Sequence, residues 1–267
     1  MQIIYKWFLF FLVLSLSGCG SESGSSTSLP DSGPVNPDVV VPGEPYIVLI
    51  GDSISEGHPA LHGRLHPAGS SGFDPDYKSQ PGQLSYEFAQ HFRVPVINHG
   101  IGGQTSTQVR SRWNRDVLHQ ISDPGDGLGD STMTFGGQLP YAVYLHVGVN
   151  DVFTGLPVET VKDNMRFFAE SAKDNGIKLI VDNIGADSVY DLTKEAAARE
   201  INNWLSGEFT SLYPEVEIMD YLHWSTDGTF DYKHLKPGMF VDTVHPSKAG
   251  YADFAVYVSD NINTQFK

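Results

Sequence analysis

The sequence predicts an α/β fold in which a parallel sheet is covered by helices on both faces. Two observations predict it: five short apolar runs rich in β-branched residues, and segments of helical period that separate them. Continuous apolar runs are typical of strands buried on both faces, and strands alternating with helices favour right-handed parallel crossovers. A third observation gives the sheet a functional edge. Short motifs built from Gly, Asp, Ser, Asn and His follow three of the runs, where ligands gather in open α/β sheets.

Residues 1–20 carry Lys6, an apolar stretch from Trp7 to Leu16, and then small residues. The stretch is short for a membrane span and has the layout of a secretory signal. Its end, Leu16-Ser17-Gly18-Cys19, is similar to a bacterial lipobox. That likeness implies cleavage before Cys19, lipidation of Cys19 and anchoring in the cell envelope, with Gly20 implying outer-membrane sorting. A plain signal peptide or an uncleaved anchor is the alternative. Cys19 is the only cysteine, so no intrachain disulfide forms and the fold relies on its core.

Residues 20–45 are rich in Ser, Gly and Pro and read as a flexible linker, with Val39-Val40-Val41 as their only core-like feature. The domain is expected over 46–267. Its strands are predicted at 46–50, 94–98, 141–147, 177–182 and 216–219. Val158, Val161, Met165, Phe168, Ala169 and Ala172 fall on one helical face, as do Ile201, Trp204, Leu205, Phe209 and Leu212. Further helices are expected near 83–92 and from Ser247 onward. Three long loops, 58–80, 121–138 and 223–241, read as walls or lids.

Composition excludes some partners. With 32 acidic against 17 basic residues the net charge is −15. No basic cluster offsets it, so nucleic acid is a poor partner. At 40% hydrophobic and 18% charged residues, the chain is otherwise ordinary for a globular protein.

Ser53 follows the first strand in Gly51-Asp52-Ser53, at a turn that exposes its hydroxyl at the carboxyl edge of the sheet. A serine hydroxyl needs an adjacent base to act as a nucleophile. His245 in Asp242-Thr243-Val244-His245 is the candidate base, and Asp242 the carboxylate that orients it. A tetrahedral intermediate requires convergent N–H donors. The Ser53 amide, the Gly103 amide in the turn containing Gly100, Gly102 and Gly103, and the Asn150 side chain in Gly148-Val149-Asn150-Asp151 supply an oxyanion hole. This set performs ester hydrolysis without a metal or organic cofactor.

The four motifs, in this order and with Asn98-His99-Gly100-Ile101-Gly102-Gly103-Gln104-Thr105 as the second, resemble the blocks of the SGNH, or GDSL, hydrolases. The resemblance covers 47–251. It implies a flavodoxin-like three-layer α/β/α sandwich, Ser53, Asp242 and His245 as the catalytic triad, and Gly103 and Asn150 in the oxyanion hole. The glycine of the second block is Gly102 or Gly103; the following polar residue and Thr105 fit the family pattern best with Gly103. Ile54-Ser55 after the nucleophile is within ordinary variation.

Other residues carry weaker signals. Asp52 and Asp151 read as acceptors for nearby backbone amides. His58, His62 and His66 recur every four residues, but Pro59, Gly63 and Pro67 interrupt any helix that would align them on a metal; lining of the substrate cleft and an ordinary loop role both stay open for them. Asp123, Asp126 and Asp130 do not have EF-hand spacing. Trp224, Phe230, Tyr232 and Phe240 are candidates for an acyl or alcohol pocket or for loop packing. The expectation is a lipid-anchored serine esterase for short acyl groups such as acetyl on a carbohydrate. A lipase, lysophospholipase or acyltransferase of the same fold, or a non-catalytic glycan-binding lipoprotein, are the alternatives.

Overall fold

The computed structural model describes residues 33–59, 78–120 and 137–266. Cys19, the expected signal segment, His62, His66 and the aspartates 123, 126 and 130 lie outside these residues. One compact unit runs from Pro34 to Lys267, so it begins ahead of the boundary expected at residue 46. Val35 N donates to Gln90 Oε1 at 3.1 Å, Gln90 Nε2 donates back to Val35 O at 2.7 Å, and Val96 N donates to Pro37 O at 3.1 Å. These bonds use the backbone of Val35 and Pro37, which is why the composition of 34–45 does not announce them.

Each predicted apolar run holds a strand: β1 (Ile47–Gly51), β2 (Val96–Gly100), β3 (Ala142–His146), β4 (Lys178–Asp182) and β5 (Glu217–Met219). They form a parallel five-stranded sheet in the order β2-β1-β3-β4-β5. The order reverses at β1, so a crevice opens beyond the carboxyl ends of β1 and β3. Side chains alternate through the sheet. Val48 and Ile50 join Val143 and Leu145 in one core, while Ile47 and Leu49 join Ala142 and Tyr144 in the other.

The helices are α1 (Ser53–Glu56), α2 (Leu84–Phe92), α3 (Ser106–Asp116), α4 (Val149–Thr154), α5 (Val158–Asp174), α6 (Leu192–Trp204), α7 (Thr210–Leu212), α8 (Tyr221–Ser225) and α9 (Lys248–Asn261), with a π-helical turn over Leu205–Phe209. One face is covered by α3, α5 and α6 through Trp113, Phe168 and Ile201; the other by α2 and α9 through Phe88 and Phe254. Trp113 packs on Phe168 with ring centroids 5.0 Å apart, and Phe88 on Tyr144 at 4.7 Å. The structure is therefore the expected α/β/α sandwich.

The helix α3 is absent from the pattern of apolar periods in the sequence. Its buried side includes Arg112, Arg115 and Asp116 beside Val109 and Trp113, so no apolar period marks it. Arg112 and Arg115 both pair with Asp116, at 2.7 and 2.6 Å. The remaining signal was the spacing of Thr105 and Gln108, where Gln108 Oε1 accepts from the Thr105 amide at 2.9 Å.

A Cβ placed on Gly51 would lie 2.0 Å from the His146 carbonyl oxygen. Gly155, at φ +71°, has open space around that position. In urea unfolding, Gly51→Ala should lose at least about 3 kcal/mol by overpacking. Gly155→Ala should lose only the left-handed penalty of about 1 to 2 kcal/mol. Equal losses would contradict the close approach of β1 and β3.

Candidate active site

Ser53 opens α1 directly after β1. Asp52 caps this helix, its Oδ1 accepting the Ile54 amide at 3.0 Å and its carbonyl the Glu56 amide at 2.9 Å. Gly57 ends the helix in a left-handed conformation and donates to Ser53 O at 3.1 Å. A single tight turn thus fixes the Ser53 backbone.

The second chain segment of the site precedes α9. Phe240 and Pro246 form an antiparallel bridge, Val241 N donates to His245 O at 3.0 Å, and Ser188 N donates to Thr243 O at 3.1 Å. Within this clasp Asp242 Oδ1 accepts the amides of Val244 and His245 at 2.9 and 2.7 Å. Its Oδ2 lies 2.8 Å from His245 Nδ1, and His245 Nε2 lies 2.9 Å from Ser53 Oγ. With Asp242 ionised, Nδ1 carries the imidazole proton and Nε2 accepts from the serine hydroxyl.

The glycine-rich turn after β2 is closed by Gln104 N donating to Ile101 O at 3.3 Å, with Gly103 at φ +77°. This is the third position of a turn that requires positive φ, a conformation glycine adopts without steric cost. Among the described residues the amides of Ser53, Gly102 and Gly103 have no acceptor. Asn150 sits at the start of α4, where its Nδ2 donates to Gln104 O at 3.0 Å and to Asp52 Oδ2 at 3.3 Å. Ser53, Gly102, Gly103, Asn150 and His245 together line one cavity of about 380 Å³.

Several side chains in and around this cavity were not singled out from sequence. Val149, Phe153, Val189 and Val244 form its apolar lining, and Asp187 and Thr243 add polar groups. The buried Arg112 donates through Nη2 to Gly51 O at 2.9 Å and through Nε to Gln104 Oε1 at 2.7 Å. It thereby ties α3 to the end of β1 and to the turn that holds Gly103. His58 does line the cavity, with its ring centroid 4.5 Å from that of His245. The aromatic residues of 223–241 pack elsewhere: Trp224 contacts Phe240 and Phe254, Tyr232 is bonded by Asn202, and Phe230 lies against His223. Asp151 accepts the Ser106 amide and hydroxyl, so it caps α3 from across the site.

Burial pushes the Asp52 carboxyl above its ordinary value, opposed by His146, the Ile54 amide and His245. Asp242 shifts the other way. Burial would raise it, but the amides of His245 and Val244 and the His245 ring outweigh that and hold it low. A depressed carboxylate contributes stability that is complete above the unfolded value, about 3.9. That contribution is lost as pH falls through the folded value. The stability difference between wild type and Asp242→Asn should therefore be level above about pH 5 and shrink below about pH 4. A difference independent of pH would contradict an ionised, hydrogen-bonded Asp242.

Comparison with solved structures places this architecture among known folds. A member of the lipolytic protein G-D-S-L family from Veillonella parvula superposes with a TM-score of 0.56 at 20% identity, covering 81% of this chain and 97% of that one. An acetylxylan esterase from Geobacillus stearothermophilus, in a catalytic mutant, gives 0.54 at 19% identity and covers 85% and 97%. A GDSL-like lipase from Bacteroides thetaiotaomicron gives 0.54 at 20% identity and covers 80% and 86%. No curated protein matches the chain by sequence. The model of the GDSL-like lipase/acylhydrolase family matches residues 49–252, from within β1 into α9, and the chain belongs to that family.

Proposed function

We propose that this family member is a serine esterase that works through an acyl-enzyme, with Ser53 as nucleophile, His245 as general base and acid, and Asp242 as the group that orients the imidazole. One observation carries the reading. The hydroxyl, imidazole and carboxylate form an unbroken hydrogen-bonded chain at 2.9 and 2.8 Å that opens into a cavity.

In the first step His245 Nε2 takes the Ser53 proton as Oγ attacks the ester carbonyl carbon. The carbonyl electron pair moves to oxygen, which the amides of Ser53 and Gly103 and the Asn150 side chain receive. One Asn150 N–H stays with Gln104 O, and the other exchanges its long contact to Asp52 for the oxyanion. The intermediate collapses, the ester bond to the alcohol oxygen breaks, and His245 returns the proton to that oxygen. Water then repeats the sequence and releases the acid.

The acyl group we propose is short, with acetyl on a carbohydrate as the leading case. The polar groups His58, Asp187 and Thr243 in the cavity support a hydroxyl-bearing substrate, and the fold likeness to an acetylxylan esterase is in keeping with it. We also propose export and lipid anchoring in the bacterial envelope, outer membrane included. This rests on the layout of 1–20 and on Cys19. Cys19→Ser should abolish incorporation of labelled palmitate, and incorporation retained by that variant would refute the anchor.

A p-nitrophenyl ester series from acetate to palmitate tests the reaction. Turnover should be highest for acetate or butyrate, and a maximum at palmitate would replace the proposed acyl group with a long one. Ser53→Ala should lower kcat by about 10⁴-fold or more. Asn150→Ala should lower it by roughly 10²- to 10³-fold. Wild-type turnover in Ser53→Ala would sink the nucleophile assignment.

A further inference from the structure

His58 belongs to neither the hydrogen-bonded chain nor the oxyanion hole, yet the fold fixes it in the cleft from two sides. Its amide donates to Ser53 O at 3.0 Å, and its carbonyl accepts from Tyr251 Oη at 2.8 Å. Tyr251 is fully buried in α9, so the backbone of His58 is held between the nucleophile turn and the sheet-covering helix. The imidazole lines the cavity and packs against His245, with centroids 4.5 Å apart and planes inclined by 58°. It is exposed, and among the described residues neither of its ring nitrogens has a hydrogen-bond partner.

The chemistry of the step gives this position a side. His245 Nε2 returns its proton to the leaving alcohol oxygen, so the alcohol half of an ester must lie against His245. During that transfer the oxygen sits within about 3 Å of the nitrogen. A substituent one carbon further along the alcohol then comes within reach of a ring that packs on His245. An imidazole with free nitrogens offers that substituent a hydrogen-bond donor or acceptor.

We propose that His58 is a specificity-determining contact of the alcohol subsite, where its imidazole binds a hydroxyl on the carbon next to the ester oxygen and so selects polyhydroxylated alcohols. This rests on the esterase reading of Ser53 and His245, and it adds the chemical class of the leaving group. Packing of the two rings is the simpler role. It differs in one respect, because a group that only props His245 affects every ester alike.

The test compares 2-hydroxyethyl acetate with ethyl acetate, which differ by that hydroxyl, and reads the ratio of their kcat/KM values in one protein. The ratio is internal to each variant, so any loss of folded enzyme cancels. Wild type should favour the hydroxy ester by about 5- to 10-fold, the worth of one hydrogen bond. His58→Phe, which keeps a ring against His245, should bring the ratio close to one, and His58→Gln should retain part of the preference. Glycerol monoacetate and a glucose monoacetate, run in parallel, identify the polyol: the one whose advantage disappears in His58→Phe is the one the subsite takes.

A wild-type ratio near one overturns the proposal. So does a His58→Phe protein that is slower on both esters with its ratio unchanged, which would leave His58 a support for His245. Absence of Ser53-dependent hydrolysis of every ester removes the esterase reading itself, and the subsite with it.

Discussion

The site depends on how closely the backbone closes at the carboxyl ends of β1 and β3. The Asp52 amide reaches the His146 carbonyl at 3.3 Å, and no side chain fits on Gly51 beside that oxygen. The same constraint recurs one strand over, where a Cβ on Gly100 would lie 2.1 Å from the Glu56 amide nitrogen. These two contacts press the Ser53 turn against the neighbouring strands on either side. Ser53, the turn at Gly103 and Asn150 therefore converge on one cavity. Arg112 consolidates the arrangement by holding Gly51 O and Gln104 Oε1 with one guanidinium.

Electrostatics follows from that geometry. The carboxylates around the site are occupied mainly with backbone amides: Asp52 with Ile54, Asp151 with Ser106, and Asp242 with Val244 and His245. Each of these carboxylates stands next to, or is bonded to, a residue that lines the cavity: Ser53, Asn150 and His245. Asp242 does two jobs with its two oxygens, since Oδ1 shapes the turn and Oδ2 aligns the imidazole. This division explains why a short turn before α9 suffices to aim His245 at a serine 192 positions away in sequence.

Much of this was legible from residues alone, because the strands are continuous apolar runs and Ser53, Gly103 and Asn150 follow β1, β2 and β3 closely. The geometry joins Ser53, His245 and Asp242 into one hydrogen-bonded chain, and Gly103 and Asn150 line the same cavity as Ser53 and His245. What escaped notice did so for physical reasons. The helix α3 buries ion pairs in place of apolar residues, so it has no hydrophobic stripe. Phe153, Asp187 and Val189 reach the cavity from helix ends and loops whose paths depend on tertiary packing. The aromatic residues of 223–241 are near His245 in sequence but do not line its cavity. Trp224 is instead drawn into the core by Phe254 and by its bond to Asp253.

The central claim is that the Ser53 hydroxyl is an activated nucleophile facing an open cleft. Mass spectrometry of the protein after reaction with a serine-directed phosphonate tests it most directly. A single adduct is expected on the peptide containing Ser53, formed by folded protein and lost in His245→Ala. An unlabelled Ser53 in folded wild-type protein, or equal labelling with and without His245, would contradict it.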